Sequence, residues 1–173
     1  MRALFIVIVL VMGAPAAVSA DPFRDLDLIR PSRQKQALDF SVTGLHGERL
    51  ALHAFRGQVV FLNFWATWCP PCKEEMPSME RLYRRYKDRG LTMLAISIDS
   101  VSGARGVADF VKTHGLTFLI GLDPKFEVAD AYGVRVLPST LLIDRDGNTA
   151  AIALGPRDWG GTSARAVIES LLR

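Results

Sequence analysis

The chain has 173 residues, of which 49% are hydrophobic and 23% charged, with 21 Lys and Arg against 18 Asp and Glu. That length gives one ordinary domain with room for a real core. A net charge of +3, with both signs mixed along the chain, argues against a nucleic-acid binder. Two cysteines are too few for a disulfide-stapled secreted scaffold.

Residues 1–20 have the pattern of a secretory signal. Arg2 precedes an apolar run from Ala3 to Met12, Gly13 and Pro15 break it, and Val18-Ser19-Ala20 forms a small-residue cleavage site. The run is shorter than the roughly 20 residues a membrane-spanning helix needs. Cleavage after Ala20 is therefore expected, with retention as an N-terminal anchor as the alternative. No cysteine follows the signal, so lipid anchoring has no support. The protein is expected to be periplasmic or otherwise exported, where disulfides persist.

Residues 21–37, with Pro22 and Pro31, show no sustained period and read as a linker or extended arm. The domain is expected over 38–173. Residues 38–42 and 49–52 alternate around Gly44 and Gly47 and predict a hairpin. Val59 to Trp65 is a near-continuous apolar run, the pattern of a strand buried on both faces. A helix is predicted from about Cys69–Cys72 to Arg89, with Met76, Met79, Tyr83 and Tyr86 on one face, a kink at Pro77 and a stop at Gly90. Arg81, Arg84, Arg85, Lys87 and Arg89 read as its solvated face. Next come a strand from Leu91 to Ile98, a helix over 104–113, a short strand over 117–120 and a helix from Lys125 to Tyr132. Strands over 139–143 and 149–154 flank Asp146-Gly147, a strong hairpin signal. A last helix over 162–172 would bury Ala166, Val167 and Leu171. Strands alternating with helices give an α/β fold with a mixed sheet.

The chemistry concentrates in Phe64-Trp65-Ala66-Thr67-Trp68-Cys69-Pro70-Pro71-Cys72-Lys73, where a buried strand gives way to a helix. Cysteines only two residues apart cannot staple distant parts of a fold, so the pair reads as chemical. A thiolate attacks disulfides, and a helix start lowers a thiol's pKa from about 8.5 to roughly 3.5–7.5. Cys69, at the first turn, is the candidate nucleophile. Cys72, inside the helix, is the candidate resolving thiol. Pro70 and Pro71 suit a helix start and remove N–H donors beside Cys69, favouring a reducing couple. The alternatives are half of a zinc site, which would need four ligands, and an inert disulfide. His46, His53 and His114 show no metal-ligand spacing; His46 reads as a turn residue and His114 as a helix-end residue.

The run Asn63 to Pro77 resembles the active-site segment of exported thioredoxin-like proteins of the TlpA/ResA/DsbE type. Gly44, Gly47, Leu50 and Arg56-Gly57 resemble that family's hairpin and turn. Ala131 to Val134, Leu137 to Thr140 and Ile143 to Gly147 resemble its cis-proline segment and hairpin. The resemblance implies a thioredoxin-like mixed sheet flanked by helices, with an N-terminal β-hairpin and a central αβ insertion. It implies that Cys69 and Cys72 form the redox disulfide, with Cys69 the exposed nucleophile and Cys72 the resolving cysteine. It makes Pro138 the cis-proline across from the disulfide. X-Pro bonds are cis only about 5–6% of the time, so this rests on the family. Leu137 would pair with an extended substrate strand, and Trp68 would flank the site. Asn63 stands where cytosolic thioredoxin has a buried carboxylate. Glu75 is similar to a glutamate that ResA-like members place near the disulfide, and it is the candidate proton acceptor, with a plain surface role as the alternative. Glu74 reads as surface.

The implied activity is thiol-disulfide exchange, as a reductant of protein disulfides such as those of cytochrome c maturation or copper-site assembly clients. A membrane thiol-disulfide transporter would supply electrons, and no cofactor, metal or nucleic acid is implied; the chain is expected to be a monomer. One alternative is a peroxiredoxin-like thiol peroxidase, although Thr67 lies two residues before Cys69 rather than that family's three. The other is a copper-binding assembly module, although the segment before Pro138 carries no histidine.

Overall fold

The strand Val59–Trp65 (β3) is buried along its whole length. A computed structural model describes residues 21–173; the expected signal, residues 1–20, lies outside the described residues. The remaining strands are Ser41–Gly44 (β1), Arg49–Ala51 (β2), Leu91–Ser97 (β4), Leu119–Leu122 (β5), Ser139–Ile143 (β6) and Thr149–Leu154 (β7). They form one sheet in the order β2-β1-β5-β4-β3-β6-β7. β4 lies parallel to β3 and β5, while β6, β7, β1 and β2 join antiparallel. The helices are Pro22–Asp25 (α1), Pro70–Tyr86 (α2), Ala104–His114 (α3), Glu127–Ala131 (α4) and Thr162–Leu172 (α5).

Strand side chains alternate between two faces, and both faces of β3 are covered. Val59, Phe61 and Trp65 pack in one core cluster with Met76 and Met79 of α2, Val107 of α3 and Val167 and Ile168 of α5. Val60, Leu62 and Phe64 pack in the other with Leu50, Leu52 and Val128. By alternation Asn63 belongs to the α2 face, the one polar side chain that β3 sends there. Most of the buried positions of α2, Cys72, Glu75, Met76, Met79, Leu82 and Tyr86 among them, follow the helical period. Tyr83, expected on that face, is half-buried. After α2 a 3-10 turn over Lys87–Arg89 leads to Gly90, whose φ of 99° a residue with Cβ adopts only with strain.

Several element boundaries differ from expectation because side chains take up the backbone groups. The first hairpin strand runs over Ser41–Gly44 rather than 38–42. Upstream, Asp39 accepts from His53 N, and the Leu38 carbonyl accepts from the Tyr132 hydroxyl. β5 starts at Leu119 rather than Thr117 because Glu80 takes both the Thr117 N–H and hydroxyl, at 2.8 and 2.7 Å. Gly121 in β5 is required by close approach: a Cβ there would lie 2.7 Å from Ile96 and Val42. α4 is shorter than the expected 125–132 helix, since Asp123 accepts from the Glu127 and Ala129 N–H groups at 2.9 Å each. The buried face of α5 is Ala164, Val167, Ile168 and Leu172; Ala166 and Leu171 are only half-buried.

Residues 21–37 are not free chain. Asp21 caps α1 by accepting from Phe23 N at 3.1 Å, and Ile29 and Gln36 bridge to Ile152 and Asn148 at the β7 edge. Leu26 and Leu28 are buried in the same cluster as α2 and α5.

Candidate active site

The chain leaves β3 at Trp65 and turns through Thr67 into α2. Asp99, just past β4, holds that turn: it accepts from Thr67 N at 2.9 Å, Thr67 Oγ1 at 2.6 Å and Ser97 Oγ at 2.8 Å. Pro70 and Pro71 occupy the first turn of α2, where a missing N–H costs little. Cys69 is the N-cap, and its Sγ accepts from Cys72 N at 3.3 Å. The two cysteines are joined as a disulfide, with Cα atoms 5.4 Å apart.

The cysteines are inequivalent, but less so than the resemblance implies. Cys69 is 5% exposed and Cys72 0%, so in the disulfide form the expected exposed nucleophile is largely covered. The difference lies in what surrounds each. Cys69 lines a groove of about 570 Å³ with Trp68, Ile98, Phe126, Val136 and Leu137, and Cys72 does not. Trp68 is 64% exposed at its rim. Phe126 holds a φ of 62°, an uncommon conformation for a bulky residue, and carries its ring into this lining.

The Leu137–Pro138 peptide is cis. Pro138 is buried, and its carbonyl accepts from Gly155 N at 2.8 Å. Among the described residues no hydrogen bond engages the Leu137 N–H or carbonyl, so this backbone at the groove is open to an added strand.

Behind the disulfide, Glu75 is 4% exposed on the buried side of α2. Asn63 Nδ2 donates to its Oε1 at 2.9 Å and to Thr140 Oγ1 at 2.9 Å. Arg157 N and Trp159 Nε1 donate to Oε2 at 3.2 and 3.1 Å. Burial pushes the Glu75 carboxyl up to about 7, although these donors and the Arg157 charge pull the other way. Asn63 Oδ1 is buried without a partner among the described residues. Asn63 thus sets an amide donor against the carboxylate arriving from α2. Glu74 is exposed.

Trp159, Arg157 and Asp99 escaped the sequence reading. Trp159 is 1% exposed and packs edge-on to Phe61 with ring centroids 4.7 Å apart. A lone tryptophan in the polar run Pro156-Arg157-Asp158-Trp159-Gly160 was the available signal. Asp99, an acidic residue ending an apolar strand, was another. His114 closes α3, stacked on Phe110 with centroids 4.0 Å apart. Among the described residues no group of three or more His, Cys, Asp or Glu is arranged to hold a metal ion.

A mixed sheet with a Cys-x-x-Cys at the start of the helix after its central strand, and a cis-proline whose preceding residue, Leu137, lines the groove with Cys69, defines a thioredoxin-like redox protein. The AhpC/TSA family model matches residues 34–152. The thiol-disulfide oxidoreductase ResA of Halalkalibacterium halodurans is 41% identical over 133 residues, covering 77% of this chain and 73% of the relative. ResA of Bacillus thuringiensis subsp. konkukian is 45% identical over 113 residues, and there the match covers 65% of this chain and 64% of the relative. A Chlorobium tepidum protein described as a thiol:disulfide interchange protein DsbE superposes with a TM-score of 0.75 at 30% identity, covering 82% of this chain and 99% of that one. The chain belongs to the AhpC/TSA family, among its thioredoxin-like members of the ResA kind.

Proposed function

We propose that this protein exchanges thiols and disulfides with protein clients through Cys69 and Cys72, acting as a reductant in an exported compartment. The observation that carries this reading is the placement of Cys69. It caps α2 at the floor of an apolar groove whose wall includes Leu137, with that residue's backbone open to a client strand.

In the reduced protein the Cys69 thiolate attacks one client sulfur and expels the other as a thiolate. Cys72, deprotonated, then attacks Cys69 Sγ, expels the second client thiolate and closes the Cys69–Cys72 disulfide. Two electrons pass to the client, and the two thiol protons of the protein balance the two client thiolates. The Cys72 N–H, which donates to Cys69 Sγ, and the positive end of α2 favour the Cys69 thiolate. Glu75 accepts the Cys72 proton; Trp68, Leu137 and Pro138 form the client site. Clients carry cysteine pairs, as apocytochrome c and copper-site assembly proteins do, and a membrane thiol-disulfide transporter recharges the dithiol. The signal pattern of residues 1–20 supports export, and residues 21–37 pack onto the domain over 38–173 as part of it.

The peroxidase alternative gains nothing from the geometry, since the Thr67 hydroxyl is committed to Asp99. The test is alkylation of the reduced protein at neutral pH. Cys69 is expected to label first, and faster labelling of Cys72 would reverse the roles.

A further inference from the structure

Resolution requires Cys72 to lose its proton while a client, linked to Cys69, fills the groove. Cys72 is 0% exposed and takes no part in the groove lining. A seated client therefore closes the side from which water would reach the disulfide. Glu75 stands one helical turn past Cys72, where side chains three apart share a face. It also lines a second cleft, about 550 Å³, between α2 and residues 156–158. The cleft and the groove have no lining residue in common.

We propose that Glu75 passes the Cys72 proton to solvent through this second cleft, so that client entry and proton exit use separate openings. The inference rests on the reading above, in which Glu75 is the acceptor.

The surroundings of Glu75 suit a group that changes protonation in place. Charged residues in the cleft lining are Glu74, Arg81, Arg157 and Asp158, two of each sign. The Arg157 guanidinium is turned to Asp27 and the Leu26 carbonyl, and Asp158 accepts from Gly160 N. Among the described residues the carboxyl's hydrogen-bond partners are the neutral Asn63 amide from the sheet and the Arg157 N–H and Trp159 indole from the loop after β7. The ionised carboxylate accepts from Asn63 Nδ2. Once Glu75 is protonated at Oε1, a half-turn of the Asn63 amide offers the otherwise unpartnered Oδ1 to that proton, and the Thr140 hydroxyl can then donate to the same oxygen. Both protonation states keep a hydrogen bond between Glu75 and Asn63 without backbone movement, the turned Nδ2 taking the position in which Oδ1 had no partner. A carboxyl lifted to about 7 takes and releases a proton near neutral pH.

The test is chemical rescue. Reduced Glu75→Ala protein is mixed with a peptide disulfide, and release of the second peptide thiol is followed in a single turnover. The variant is expected to slow this step on the order of 10²-fold while the first attack is unchanged. Formate, entering the vacancy through the cleft while the peptide fills the groove, is expected to restore the rate about 10-fold with saturation, and trimethylacetate is expected to give no rescue. If the folded variant is slow and formate does nothing, the exit route is wrong while Glu75 as acceptor survives. If the variant is not slow at all, the acceptor reading itself falls. Should Glu75→Ala fail to fold, the Glu75 carboxyl carbon is followed by NMR in Cys72→Ser protein, free and trapped as a mixed disulfide with the peptide. One resonance moving continuously with pH in both forms supports the cleft. Splitting into two slowly exchanging resonances only in the trapped form overturns it.

Discussion

Replacing Glu75 with glutamine removes a titration and keeps a shape. Arg157 N and Trp159 Nε1 both donate to Oε2, which the glutamine carbonyl can occupy. The new amide nitrogen faces Asn63, whose unpartnered Oδ1 can turn to receive it. The variant should therefore fold. Its stability should differ from the parent in pH dependence. The Glu75 carboxyl is raised from 4.5 to about 7, so between those values the folded protein holds a proton that the unfolded chain has lost. The stability this contributes is full below about pH 4.5 and is lost as pH rises through about 7. From about pH 5 to about pH 8 the loss is about 2.5 kcal/mol. With a urea dependence of about 2 kcal/mol per molar, the parent's midpoint falls by about 1 M relative to the variant's over that range. Urea unfolding of both oxidised proteins at several pH values measures this. A midpoint difference that stays constant with pH would refute a raised, buried Glu75, and one that moves in the opposite sense would mean that its donors outweigh burial.

Trp159→Phe keeps the ring against Phe61 but removes the indole donor to Glu75. The carboxyl should rise further, and the pH midpoint of the resolution step should move upward; an unmoved midpoint would make Trp159 a packing residue only. Asp99→Ala strands the Thr67 N–H and hydroxyl, with an expected cost of about 1–3 kcal/mol in chemical unfolding. Trp68→Ala deletes an exposed rim; capture of a client peptide should weaken roughly 3–10-fold, about 1 kcal/mol, with the thermal midpoint unchanged.

Much of this was legible from residue patterns with a single physical cause. The apolar run Val59 to Trp65, the Asp146-Gly147 turn and the Cys-Pro-Pro-Cys helix start each follow from burial, turn chemistry or capping. What escaped depends on partners far apart in the chain. Thr117 and Asp123 moved element ends because their hydrogen bonds go to Glu80 and the start of α4. Trp159 and Asn63 converge on Glu75 from 84 and 12 residues away, and no local spacing encodes that meeting. The Glu75 surface alternative failed for the same reason. Its burial combines its place on the inward side of α2 with cover from Asn63 of β3 and from the loop after β7.

The central claim is that Cys69 attacks and Cys72 resolves, and trapping tests it most directly. Cys72→Ser and Cys69→Ser proteins are reduced, mixed with a peptide carrying a disulfide, and quenched with an alkylating agent. Cys72→Ser is expected to accumulate a long-lived mixed disulfide through Cys69, and Cys69→Ser to form none and to reduce nothing. A stable adduct on Cys72 in the Cys69→Ser protein, with none on Cys69 in its counterpart, would contradict the account.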